Sequence, residues 1–417
     1  MNSRRAGLAF GLAWGERVAW LAALVAVGVV LAASRYESRD PDSALHTAIA
    51  ADLASLPVTQ WIAPTWNGHW GLQGLYREHP AGIFILPALL ARLGYPAPQA
   101  AQAVNAAYQL LTLLLMTALA RRFLARRDAR LLVTLLLLLP ISFTYRVRAN
   151  QEQPLLMCLL AAFYGIERSR DSLRWAALAA AGLAGVFLVK GVFVVVAVAG
   201  LGAFLLVGEW RWPSRPNRVR PWLALGIGLA TLAVAYVAYD AVYRHAAGEP
   251  FFAWYLGRQF GVASAAATVP RTPGVLVTFV WYLGRIAWFT APWIIVAGAA
   301  LWLRAAQHRQ RKGRWESSEE HEGRARGAVL CAVLAVVYVI AFSAFQRRAE
   351  RYVFPVYFAL AAWWAAYGFR AFPSIRRSTW RLSRACYPYE QAILWLLLVG
   401  LAMLAPSLNL PRIKLWR

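Results

Sequence analysis

Charge is scarce in this chain, and negative charge is scarcest. Asp and Glu number 19 against 44 Lys and Arg, and all four together make up 15% of the residues. An ordinary soluble domain carries about 25%. With 60% hydrophobic residues and a mean hydropathy of +0.47, so little charge excludes a soluble globular enzyme, a disordered tail and a coiled coil. Cysteine is nearly absent: Cys158, Cys331 and Cys386 stand far apart, without the paired spacing of a metal or redox motif, so no disulfide framework follows. Lysine is nearly absent too, represented only by Lys190, Lys312 and Lys414. What the chain has in abundance is apolar runs that approach or exceed the length of a bilayer crossing, repeated over all 417 residues. The reading is an all-α, polytopic membrane protein. A net charge of +25 would suggest nucleic acid in a soluble chain. Here the arginines sit in short loops between apolar runs, so they report topology, and no nucleic-acid partner is expected.

The first apolar run, Val18–Ser34, follows a short basic stretch with Arg4, Arg5 and Arg17 and lacks a convincing cleavage site. It reads as a first span with a cytoplasmic N-terminus. The next apolar piece, Ala81–Leu93, is too short to cross comfortably. If it does not cross, the helix near 99–120 delivers Arg121, Arg122, Arg126, Arg127 and Arg130 to the cytoplasm, as the positive-inside rule favours. Residues 35–98 then form one long external segment carrying short interfacial helices. Further spans fall near 131–145, 154–167, 175–189, 191–208, 221–243, 276–303, 328–345, 353–369 and 389–406, about eleven in all, with the C-terminus outside. No internal repeat is visible. The expectation is a single membrane domain over 1–417 without a separate soluble C-terminal domain.

Ionisable groups near a membrane are costly, so their placement marks function. On this topology they gather at external helix ends: Asp40 and Asp42, Glu78 and His79, Arg146, Arg148 and Glu152, Lys190, His245 and Arg258, and the group Arg347, Arg348, Glu350 and Arg351. Carboxylates facing several cations at one membrane surface suit a reaction on an anionic, membrane-anchored substrate. Each residue also has a plainer reading. Asp42 opens a segment whose Leu45, Ile49, Leu53 and Leu56 repeat at helical spacing, where Asp is a natural N-cap. Asp40 precedes Pro41 in a turn. His46 shares the Asp42 face of that helix and is also an ordinary interfacial histidine. Glu78-His79-Pro80 is a normal helix start, and Glu152 before Pro154 the polar start of a span. Lys190 would snorkel to headgroups, and Arg146 and Arg148 would meet anionic lipid. Trp61, Trp66, Trp70 and Tyr76 read as an interfacial aromatic belt or as rings that stack on sugars.

The order of these pieces carries a resemblance. Asp40-Pro41-Asp42-Ser43-Ala44-Leu45-His46 is followed by Trp61-Ile62-Ala63-Pro64 and Tyr76-Arg77-Glu78-His79-Pro80. Then come Glu152-Gln153-Pro154-Leu155, Val189-Lys190-Gly191 and Arg351-Tyr352-Val353-Phe354-Pro355. Over roughly residues 15–370 this arrangement resembles the integral-membrane glycosyltransferases of the GT-C superfamily, in the branch of the protein O-mannosyltransferases and lipid A aminoarabinose transferases. The resemblance implies an inverting transferase that moves a sugar from a polyprenyl-phosphate donor to a lipid, glycan or protein acceptor. It implies a bacterial inner membrane with the active site facing the periplasm or exterior. Asp42 matches the family's catalytic carboxylate, and Glu152 stands where the second external loop usually offers an Asp. His46 takes the place of a frequent aromatic, and His79 that of a frequent Lys. Glu78, His79, His46 and Tyr352 are then substrate-binding candidates. Some relatives hold a divalent metal near the residue matching Glu78, and Glu78 and His79 could do so here, although two ligands are too few to assert a site.

The chemistry also follows from residue type alone. A phosphate-linked sugar already carries a good leaving group if positive charge meets the departing phosphate, and Lys190, Arg146, Arg148, Arg258 and Arg351 would supply it. Inversion needs one carboxylate to take the acceptor's proton, the role of Asp42, assisted by Glu152. The alternative class is a transporter or flippase of lipid-linked sugars, which would show duplicated halves and charges near the midplane. Only Asp240 and Arg285 point that way.

Overall fold

The computed structural model describes residues 41–124, 129, 150–212, 217–265, 274–290, 318–344 and 348–363. The expected spans at 18–34, 131–145 and 389–406, the second half of 276–303, and Asp40, Arg146, Arg148 and Arg347 lie outside the described residues. Among those described, the regular structure is helical, with one isolated bridge, Thr65 to Leu75, closing a loop. In chain order the helices are α1 (Pro41–Ser55), α2 (Gly82–Arg92), α3 (Ala97–Ala120), α4 (Glu152–Ser169), α5 (Ala176–Lys190), α6 (Phe193–Arg211), α7 (Val219–Ala247), α8 (Phe251–Ala265), α9 (Val275–Thr290), α10 (Ser318–Ser343) and α11 (Phe354–Trp363).

Among the described residues, five helical stretches are long and apolar enough to cross a bilayer: Ala97–Ala120, Leu173–Lys190, Phe193–Arg211, Val219–Ala247 and Glu322–Ser343. They match five of the expected spans. The expected span at 154–167 is also a helix, α4, but it starts and ends with Glu152, Glu167 and Arg168 and is buried along most of its length. It is the central helix of the bundle. Against it α5 packs backbone to backbone, because a Cβ on Gly182 would come within 2.5 Å of the Ala162 nitrogen. Small residues permit such approach where packing alone holds helices together.

The two ends of the bundle differ. At one end, Arg122 pairs with Asp171 at 3.0 Å, Arg170 and Arg218 share Glu209 at 2.6 Å each, and Arg326 reaches the fully buried Glu167 at 2.5 Å. These ties gather the residues expected in the inner loops. The other end gathers α1, α2, the 57–81 loop, the α5–α6 turn, the start of α8 and the turn before α11.

α2 is the short apolar piece of the sequence. Eleven residues rise only about 16 Å, half a hydrocarbon core. Both of its ends are tied to the same end of the bundle: the Ala81 N–H donates to the Tyr239 hydroxyl at 2.9 Å, and Arg92 donates to the Leu56 carbonyl at 3.0 Å. The apolar stripe of α1 behaves differently from the interfacial expectation. Leu45, Ile49 and Leu53 are 5%, 0% and 1% exposed, packed into the protein with Phe84 and Tyr76. The aromatic belt needs the same correction: Trp61, Trp66 and Tyr76 are buried and only Trp70 is open. Three of the four rings form the small core that a Gly-rich loop would otherwise lack.

Candidate active site

The sequence motifs converge on one cavity of about 230 Å³. Its wall includes Asp42, His46, Glu78, His79, Lys190, Arg351 and Tyr352, joined by Trp66, Trp70, Asn150, Gln151, Phe193 and Gln259. A larger and more open groove, about 590 Å³ beside α10 and α11, has Arg211 as its one charged lining residue and no cluster of chemical groups.

Asp42 is not the N-cap of α1. The helix starts at Pro41, which places Asp42 inside the first turn, where the helix dipole favours an acid. Its Oδ2 accepts a hydrogen bond from Arg351 Nη1, an ion pair between residues 309 positions apart. Arg351 rides on the short turn Glu350–Val353 ahead of α11. One helical turn beyond Asp42, His46 lines the same wall, its ring edge-on to Phe84 at 5.6 Å.

The second motif is oriented by Arg77, which the sequence reading passed over. Arg77 is 6% exposed; its Nε donates to the Tyr243 hydroxyl at 3.1 Å, it pairs with Glu249, and it lies over the Trp254 ring. Gln259 donates to the Glu78 carbonyl at 3.0 Å. With Arg77 turned into α7 and α8, Glu78 and His79 line the cavity. Among the described residues no three His, Cys, Asp or Glu side chains converge.

Lys190 ends α5 and is 2% exposed. Its Nζ lies 3.4 Å from Glu152 Oε1, 4.5 Å from the Phe193 ring centre and 5.4 Å from that of Tyr352. The snorkelling reading fails, since the ammonium turns into the protein. Glu152 itself is 1% exposed and is not part of the cavity wall. It stands behind Lys190, 3.4 Å from its ammonium.

The turn after Lys190 depends on Tyr255. The Tyr255 hydroxyl accepts from the Val192 N–H at 3.0 Å and donates to the Lys190 carbonyl at 3.4 Å. Burial pushes the Tyr255 pKa up, only partly offset by the Val192 bond, so it stays a neutral hydroxyl able to do both. Gly191 has φ +53°, and a Cβ there would fall 2.6 Å from Tyr255 Cζ and nearer still to its oxygen. Gly191→Ala should therefore cost about 3 kcal/mol or more through left-handed strain and overlap together. Thermal unfolding in detergent checks this, and a wild-type melting temperature would contradict it.

Other candidates have different places. Asp240 caps α8: its Oδ1 accepts the Phe251 and Phe252 N–H groups at 2.9 and 3.2 Å, and Oδ2 meets Arg244 at 3.0 Å. Arg285 lies over the Trp281 ring at 5.1 Å. Arg258 is placed in α8 beside Gln259, and its side chain lies outside the described residues. Gln259 gave no signal in sequence, whereas Asn150 and Gln151 were readable as the polar run leading into Glu152.

A bundle whose long first loop folds over one end, with a carboxylate there facing cations from distant helices, is a defined architecture. The chain has the fold seen in GT-C structures. Residues 78–238, from the second motif through most of α7, match the family model described as dolichyl-phosphate-mannose-protein mannosyltransferase. Among solved structures it is similar to ArnT from Cupriavidus metallidurans bound to undecaprenyl phosphate. That match has a TM-score of 0.60 and 16% identity, covering 93% of this chain and 73% of ArnT. The same enzyme in the apo state matches with a TM-score of 0.60 and 15% identity, covering 93% and 72%. At such identity the likeness is one of fold. No curated protein matches the chain by sequence.

Proposed function

We propose that this chain is an inverting glycosyltransferase that takes its sugar from a polyprenyl-phosphate donor at the cavity end, and that this end faces the periplasm or exterior. The observation that carries the reading is the Asp42–Arg351 pair, which shares its cavity with Lys190. One carboxylate and two cations are the groups that transfer from a glycosyl phosphate requires. The GT-C fold and the mannosyltransferase family segment support the same reaction.

In the proposed reaction the acceptor oxygen attacks the anomeric carbon from the face opposite the phosphate. The carbon–oxygen bond to phosphate breaks, its electron pair leaves with the lipid phosphate, and Asp42 takes the acceptor's proton. Arg351 and Lys190 stabilise the charge that builds on the departing phosphate. Arg146, Arg148 and Arg258 are further candidates for that contact. Glu152 acts through Lys190 as a positioning residue, and His46, Glu78, His79 and Tyr352 surround the sugar or acceptor. Mass spectrometry of envelope lipids and glycans from a deletion strain tests the reading. One glycosyl increment should vanish and return with the wild-type gene; an unchanged glycan and lipid profile would contradict it.

A further inference from the structure

Trp70 stands where the backbone suits glycine and the ring is left open. Between Asn67 and Gly74 the chain turns repeatedly through the left-handed region: Asn67, Gly68, Trp70, Gly71 and Gly74 have φ of 44°, 80°, 55°, 73° and 82°. A bulky side chain at such a φ is an outlier that strains the backbone. The residue is 58% exposed, so burial does not repay the strain. Yet Trp70 lines the cavity that holds Asp42 and Lys190.

The ring is also held in place. Trp66, itself 6% exposed, lies behind it at 6.3 Å between centroids and packs in turn on Tyr76 at 4.8 Å. The loop is closed by Trp66 N–H to Gly74 O at 2.9 Å and Gly68 N–H to Leu72 O at 3.0 Å. His69 Nε2 is bonded to Asp52 Oδ2 at 2.7 Å. A turn would be served better by glycine, and a packing residue would be buried. A membrane-interface anchor accounts for the exposure but not for a place in the cavity wall.

We propose that Trp70 is a sugar-binding platform at the cavity mouth, its indole face stacking on the C–H face of a pyranose ring. The inference rests on the donor reading above and adds a residue that recognises the sugar apart from the phosphate. An aromatic face is negative and a pyranose C–H face positive, the complementarity that aromatic edges use with ring faces.

The test uses full-length protein in nanodiscs of phosphatidylethanolamine and phosphatidylglycerol, with two probes: undecaprenyl phosphate and its mannosyl derivative. Trp70→Gly should weaken binding of the mannosyl lipid about three- to tenfold and leave the bare phosphate lipid unchanged. Its melting temperature should be equal or higher, because glycine adopts this φ without strain. Trp70→Phe should retain most of the mannosyl preference. Equal losses for both probes would make Trp70 a rim or membrane contact and overturn the inference alone. A marked fall in melting temperature would make it structural and overturn it as well. Wild-type protein that binds neither lipid would overturn the donor reading, and this inference with it.

Discussion

Asp42→Asn should reduce sugar transfer about 100-fold or more, the usual scale for removing a general base, while the protein still folds and inserts. Asparagine keeps the size of the side chain and one acceptor oxygen, and removes the charge and the basic carboxylate. The structural cost is modest, because the Asp42–Arg351 pair is partly open, with side chains 26% and 27% exposed. An exposed or half-exposed pair contributes about 0–1 kcal/mol, so a collapse in turnover cannot be attributed to unfolding. Arg351→Gln should act differently, weakening donor binding as well as turnover, because it removes charge meant for the phosphate. Asp40→Asn should cost far less than Asp42→Asn. Transfer from a labelled polyprenyl-phosphate sugar, with donor binding measured separately, distinguishes these outcomes. Near-normal turnover by Asp42→Asn would remove Asp42 from the mechanism, and a collapse confined to Asp40→Asn would move the base two residues upstream.

The second large effect concerns Lys190 and Glu152, whose side chains are 2% and 1% exposed. Lys190→Ala takes from the buried Glu152 the cation 3.4 Å away, and breaking a buried pair on one side costs about 3–5 kcal/mol, a large share of the stability of many proteins. That variant should express poorly, and its inactivity alone would say nothing about phosphate. Lys190→Met with Glu152→Gln removes both charges together and should restore expression and melting temperature while turnover stays low. Lys190→Arg should fail too, because the ammonium fits between Phe193, Tyr352 and Glu152 and a planar guanidinium has different geometry and bulk. Near-normal turnover by the double variant would return the pair to a structural role.

Much of this site was legible in the sequence because its residues are costly where they stand. Lys190 is conspicuous as the lysine of the apolar region, and Asp42, Glu78 and Arg351 appear at helix ends on one side of a topology set by arginine loops. Gly191 carried a weaker signal, explained only once Tyr255 is seen against it. Partnership was not legible. Nothing local joins Asp42 to Arg351 across 309 residues or turns Glu152 behind Lys190, since these contacts come from how α4, α5 and α11 pack. Aromatic character likewise fails to tell a belt from a core: Trp61 and Trp66 have the residue type of the first and the burial of the second. Gln259 was missed because a single polar residue in apolar and aromatic surroundings has no spacing to read. Arg77 stood inside the second motif, and only its partners Tyr243 and Glu249 give it a role.

The central claim is that bond cleavage happens at the cavity end, and one reconstitution measures it directly. Proteoliposomes of uniform orientation would carry a labelled polyprenyl-phosphate sugar in only one leaflet, with release of free lipid phosphate followed over time in the presence of a membrane-extract acceptor. Lipid phosphate should be released when the donor lies in the leaflet on the cavity side, and Asp42→Asn should abolish that release. Movement of the intact lipid-linked sugar to the opposite leaflet without any cleavage would contradict the account and make the chain a flippase.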